Sequence, residues 1–97
     1  MKIKWSPLAV ERLTSIVKYI SEDKPLAADN LCNSIFKSVE RLIDFPQSGR
    51  TVPELENPKY REILVKNYRL IYTVIEDVVY ILTIRHQIQL LNLKDIK

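Results

Sequence analysis

The sequence predicts an α+β fold: an N-terminal strand, then a two-helix antiparallel hairpin packed on a small antiparallel sheet, in the order β-α-α-β-β-β. Three observations carry this. Two amphipathic stripes occupy the first half of the chain, each opened by a proline. Three β-prone runs occupy the second half, joined by turns short enough to favour antiparallel neighbours. Between the halves, "FPQSGRTVPELENPK" holds three prolines and the only glycine, Gly49, and reads as a long loop.

Each element follows from its residues. "MKIKW" alternates and is β-prone, so it reads as the first strand. Ser6 is a good N-cap and Pro7 a good first helical residue, since its missing N–H costs nothing there. Val10, Leu13, Ile16, Val17 and Ile20 then share one helical face, with Glu11, Arg12, Ser15 and Lys18 outside it. "SEDKP" ends this helix and Pro25 starts the next. Its stripe is Ala28, Leu31, Ile35, Val39 and Leu42, joined by Cys32, Phe36 and Ile43. The two helices pair as a hairpin. Strands are expected at Arg61–Val65, Tyr68–Ile75 and Val78–Arg85. The tail "QIQLLNLKDIK" fits either a short helix or an added strand.

Parity raises a question about the sheet. One strand sets Tyr68, Leu70, Tyr72 and Val74 against Arg69, Ile71, Thr73 and Ile75. The next sets Val78, Tyr80, Leu82 and Ile84 against Val79, Ile81, Thr83 and Arg85. Both faces are largely apolar, and two helices cover only one. The other face is left to the tail or to a partner. Arg69 and Arg85 then emerge on a partly apolar face, unless each guanidinium pairs with a local carboxylate such as Glu54 or Glu62.

The chain has 97 residues, one domain's worth (1–97), and a composition of 46% hydrophobic and 28% charged residues that is globular rather than disordered. A single glycine argues against a glycine-rich phosphate loop. The formal net charge of +3 permits an anionic partner without demanding one. Cys32 is the only cysteine and His86 the only histidine, so no internal disulfide forms and a metal site would need several carboxylates. No cofactor is expected. With no apolar leader and no run of membrane-spanning length, the expected location is cytoplasmic and no membrane partner is expected.

The segments "WSPLAVERL", "YISEDKPLAA", "RLIDFPQSGRTVPE", "YREILVKNYRLIY" and "VYILTIRH" together resemble the RelE/ParE superfamily of toxins from bacterial type II toxin–antitoxin systems. The likeness runs from Trp5 to His86. "FPQSGRTVPE" and "YREILVKNYRLIY" look more like the ParE branch. The resemblance implies a small basic domain neutralised by a cognate antitoxin, which wraps a helix and a strand-like segment around it as a hetero-oligomer. It implies operator DNA contact only through that antitoxin. ParE-like members poison DNA gyrase and need no nuclease site. RelE-like members cleave mRNA, usually in the ribosome, and a third alternative is a non-toxic member that only binds its antitoxin.

Chemistry separates the branches. Cleavage by 2′-OH attack needs a base, an acid and cations on the phosphorane. Arg69 matches the central arginine of the RelE-like arrangement and Arg61 could match a strand base. Glu62 beside Arg61 works against this, and no Arg or Tyr follows His86. A metal-free nuclease site would therefore consist of Arg61, Arg69, Arg85 and His86. Under the favoured ParE-like reading, Arg61, Arg69, Tyr72 and Arg85 contact the target or the antitoxin. The plainer alternatives are that His86 holds a strand-end backbone group, that the tyrosines and Trp5 pack, that Arg12 lies on a solvated face, and that Cys32 is an inert helix residue.

Overall fold

A computed structural model describes residues 1–89, 91 and 93–96. The expected order is present, with one added strand: β1 Lys2–Trp5, α1 Pro7–Ser21, α2 Pro25–Asp44, β2 Arg50–Thr51, β3 Tyr60–Val65, β4 Tyr68–Ile75 and β5 Val78–His86. A 3-10 turn, Leu93–Ile96, is the last described element. It lies within the stretch left open between helix and strand, of which residues 90, 92 and 97 fall outside the described residues.

The strands form one sheet in the order β1-β5-β4-β3-β2. The sheet is mixed rather than wholly antiparallel, because β1 runs parallel to β5, with Lys2 opposite Val78 and Trp5 opposite Ile81. The hairpins β3–β4 and β4–β5 are antiparallel as expected. Their turns contain no glycine, so Lys66 and Glu76 take left-handed φ values of 53° and 54° themselves. Such a conformation costs a residue with a Cβ roughly 1–2 kcal/mol.

The first helix begins as its residues dictate. The Ser6 hydroxyl oxygen accepts the Ala9 N–H at 3.0 Å, and Pro7 occupies the first turn. The same hydroxyl donates to the Leu82 carbonyl at 2.7 Å, which ties the helix start to β5. In α2 the buried residues are Ala28, Leu31, Ile35, Val39 and Leu42, the stripe read from the sequence. The α1 stripe is shifted: Ala9 and Leu13 are buried, while Val10 is 50% exposed. Phe36 also stays half exposed, tilted against Trp5 at 5.7 Å between ring centres.

Two apolar clusters lie on opposite faces of the sheet. The larger one joins the helices to Leu70, Tyr72, Val79, Ile81 and Ile84. The smaller one joins Val52, Ile71 and Leu91, flanked by Leu55, Tyr60, Leu82 and Ile96. The long loop and the tail thus cover the second face together. A β-bulge explains why strict alternation fails on β5. Ile71 pairs with Thr83 but Tyr72 pairs with Ile81, so Leu82 is the extra residue. Val79, Ile81 and Ile84 therefore share the helix face, and Leu82 turns to the other. Beyond Ile81 the outer edge of β5 has no β1 partner, and α1 can reach past it.

Candidate functional site

Arg69 and Arg85 stand directly opposite each other on β4 and β5. Like charges in that relation repel, so each needs an acid of its own. The chain supplies them from different places.

Arg69 is buried, with 5% of its side chain exposed, and every donor group is used. Its Nε and Nη2 donate to Glu62 Oε1 at 2.8 and 2.6 Å. Its Nη1 and Nη2 grip the two Glu54 oxygens in a fork, 2.7 Å on each arm. Nη1 also donates to the Gln89 carbonyl at 3.1 Å. Glu62, with no side-chain exposure, gives its second oxygen to Arg50 Nε at 2.6 Å. The result is a row Arg50–Glu62–Arg69–Glu54, with two positive and two negative charges. Low-dielectric surroundings make such a row costly to break and of little net value against an apolar filling.

The ionisation of the row follows. The fork from Arg69, helped by the Leu91 N–H at 2.7 Å, brings the Glu54 carboxyl down from its ordinary 4.5 to about 2, against the opposing effect of burial. Glu54 in turn pushes the Arg69 guanidinium further up, with Glu62 adding to the effect.

Arg85 is answered from the tail. Its Nε and Nη2 reach Asp95 Oδ2 at 3.0 and 2.9 Å. Arg12 comes round the free edge of β5 and holds the same carboxylate, Nη1 to Oδ2 at 2.6 Å and Nη2 to Oδ1 at 3.1 Å. Its Nη1 also donates to Thr83 Oγ1 at 3.1 Å. Arg12 is therefore not on a solvated face. Tyr68, opposite His86 in the β4–β5 register, meets the imidazole edge-on at 5.5 Å. His86 Nδ1 accepts the Ile88 N–H at 3.3 Å. An open cleft of about 390 Å³ brings Arg12, Ser15, Tyr68, Arg85, His86 and Gln89 together.

Tyr72 and Arg61 serve the opposite face. Tyr72 is fully buried, and its hydroxyl donates to the Pro46 carbonyl at 2.7 Å and accepts the Gly49 N–H at 3.0 Å. Burial pushes its phenol pKa up. Arg61 Nη1 donates to the Gly49 carbonyl at 2.8 Å. The lone glycine is required here: a Cβ at Gly49 would lie 2.6 Å from Tyr72 Oη and 2.7 Å from the Glu62 carbonyl oxygen.

The expected surface of Arg61, Arg69, Tyr72 and Arg85 is therefore not assembled. Arg69 and Tyr72 point inward, to opposite sides of the sheet, because adjacent or odd-spaced strand positions diverge. Arg85 and His86 do share a cleft, but with Arg12 rather than Arg69 or Arg61. The sequence names Glu54 and Glu62 as partners of Arg69 in its plainer alternative. Asp95 carries no local signal, since it lies 83 residues from Arg12. Among the described residues no group of three or more His, Cys, Asp or Glu could hold a metal ion, and no helix is long and apolar enough to cross a membrane.

Two helices on a mixed sheet, with a buried charged row under a loop and tail, define a small α+β module. The chain belongs to the ParE toxin family of type II toxin–antitoxin systems, whose family model, for the parDE toxin, matches residues 3–91. It is 31% identical over 90 residues to Toxin RelE2 of Caulobacter vibrioides, covering 92% of this chain and 98% of that protein. A protein of Sinorhizobium fredii, Y4kP, is 39% identical over 49 residues, about half of each chain. Among solved structures, a chain of the chromosomal ParDE TA system from P. aeruginosa superposes with a TM-score of 0.74 at 22% identity, covering 89% of this chain and 95% of that one. The last likeness shows the shared fold.

Proposed function

We propose that this chain arrests growth in the ParE manner, by inhibiting DNA gyrase, and that a cognate antitoxin neutralises it by binding. One observation supports this over RNA cleavage. Two of the three arginines that a nuclease would turn toward a phosphorane are engaged within the sheet and its loop: Arg61 by the Gly49 carbonyl, and Arg69 by Glu54 and Glu62. Transition-state charge stabilisation depends on donors free to meet the developing charge. A binding module has no such need.

A second reading, an mRNA interferase, has its own footing. The cleft beside β5 sets His86 next to Arg12 and Arg85, an imidazole with two cations. The two readings part in one experiment. The chain is induced alone in a bacterium, as wild type and as His86→Ala. Under the gyrase reading DNA damage signalling precedes any loss of mRNA, and His86→Ala retains growth arrest. Prior loss of mRNA, abolished by His86→Ala in a chain still folded by circular dichroism, would establish the nuclease reading instead, since a lost general acid or base costs typically 10²–10⁴-fold.

A further inference from the structure

The Asp95 side chain is 7% exposed and is held by guanidinium groups from two elements far apart in sequence. Four contacts of 2.6 to 3.1 Å converge on its two oxygens. That is the geometry of a carboxylate receptor, and the receptor is filled by the chain's own tail. The described tail residues repeat the theme. Leu91 and Ile96 seat on Val52, Ile71 and Leu82, and the tail backbone bonds Glu54 and Arg69 through the Leu91 N–H and Gln89 carbonyl. The tail thus binds this face as a peptide would, through one carboxylate flanked by apolar side chains and backbone groups.

Two features say that the receptor can accept another occupant. Two positive charges face one negative charge, so a further anionic group is attracted rather than repelled. The receptor is also accessible: Arg12 and Arg85 are 25% and 18% exposed at the side chain and both line the cleft that holds Tyr68 and Ile84. A ligand entering there meets both guanidiniums and apolar surface together.

We infer that Arg12 and Arg85 form a carboxylate-binding site for an acidic, partly apolar peptide segment of a protein partner, and that Asp95 is an intramolecular stand-in for that segment. The inference rests on the reading of this chain as one half of a protein pair, and it is independent of the target. The tail then weakens the partner's apparent affinity: with the site free for a fraction f of the time, the apparent Kd rises by 1/f.

The test uses the full chain and a synthetic, fluorescently labelled peptide with the sequence of residues 87–97, read by anisotropy, so no toxicity is involved. The D95N chain is expected to bind this peptide at least tenfold more tightly than wild type. The D95N form of the peptide, or Arg12→Gln added to the D95N chain, is expected to lose at least tenfold. Equal binding by wild type and D95N, or indifference to the peptide's carboxylate, overturns the inference. So does a ten-nucleotide single-stranded RNA that displaces the peptide and itself needs Arg12, which would assign the site to phosphate. Should D95N fail to fold, amide exchange on the wild-type chain decides. The Leu91 N–H is expected to exchange by local opening at low denaturant while the Tyr72 and Ile81 amides exchange only by global unfolding. Exchange of all three by the global route alone overturns the displaceable tail. Failure here with gyrase inhibition intact leaves the functional reading standing, and the reverse outcome leaves the site standing.

Discussion

On the helix side of the sheet, Ile35, Leu42, Leu70 and Ile81 meet in one cluster, supplied by regular elements. On the other side, Glu62 and Arg69 are almost as deeply buried, but the cover is a proline-rich loop and the tail. All four buried polar or charged residues of the chain's described part, Glu62, Arg69, Thr73 and Thr83, are on β3, β4 and β5 positions that face this second side. The difference is one of physical cause. Apolar burial is non-directional and forgives small changes of shape. A charged row is directional, and each member holds the next in place. A loop has few backbone bonds of its own to fix it, so the second face is organised by donors and acceptors: the Arg69 fork on Glu54, the Thr73 hydroxyl on the Lys59 carbonyl at 2.8 Å, the Leu91 N–H on Glu54.

The comparison breaks first at Glu62. Glu62→Ala leaves Arg69 with a single acid and Arg50 with none, and is expected to cost about 3–5 kcal/mol in denaturant unfolding. A loss under about 1 kcal/mol would mean that the row contributes little and that the second face, too, rests on apolar contacts. Tyr72→Phe tests a fully buried hydroxyl in the helix-side cluster. It strands the Gly49 N–H and the Pro46 carbonyl, and is expected to cost about 1–3 kcal/mol. Ile35→Val, a pure loss of one methylene on the helix side, is expected to cost about 0.5–1.5 kcal/mol, by the same amount at every pH.

The sharpest discriminator is the dependence of stability on pH. The Glu54 carboxyl titrates at about 2 when folded and near its ordinary 4.5 when free. Its folded-state value is depressed, so its contribution is fully present above about 4.5 and is lost as pH falls toward 2. Stability should therefore fall across that window in wild type, and fall less steeply in Glu54→Gln. Identical pH profiles for the two chains would show that the fork does not carry the acid sensitivity of this face.

The helix side was readable because its information is local. The spacing of Ala28, Leu31, Ile35, Val39 and Leu42 is itself the buried face of α2. Ser6 and Pro7 mark the start of α1 without help from the rest of the chain. The turns at Lys66-Asn67 and Glu76-Asp77 set the β3–β4 and β4–β5 hairpins by length alone. Even the pairing of Arg69 with Glu54 or Glu62 was open to the sequence as an alternative, since a buried guanidinium requires an acid and these were the near ones.

What the sequence determined by itself was thus the order of elements, the helix-packed face, and the likeness that leads to the ParE toxin family. The tertiary structure alone decided the rest. It ran β1 parallel to β5, because strand pairing at long range depends on backbone bonds that no side-chain pattern encodes. It placed a bulge at Leu82, where one extra residue reverses the facing of everything beyond it. It joined Arg12 to Asp95 across 83 residues, since electrostatic partners are chosen by distance in space and not along the chain.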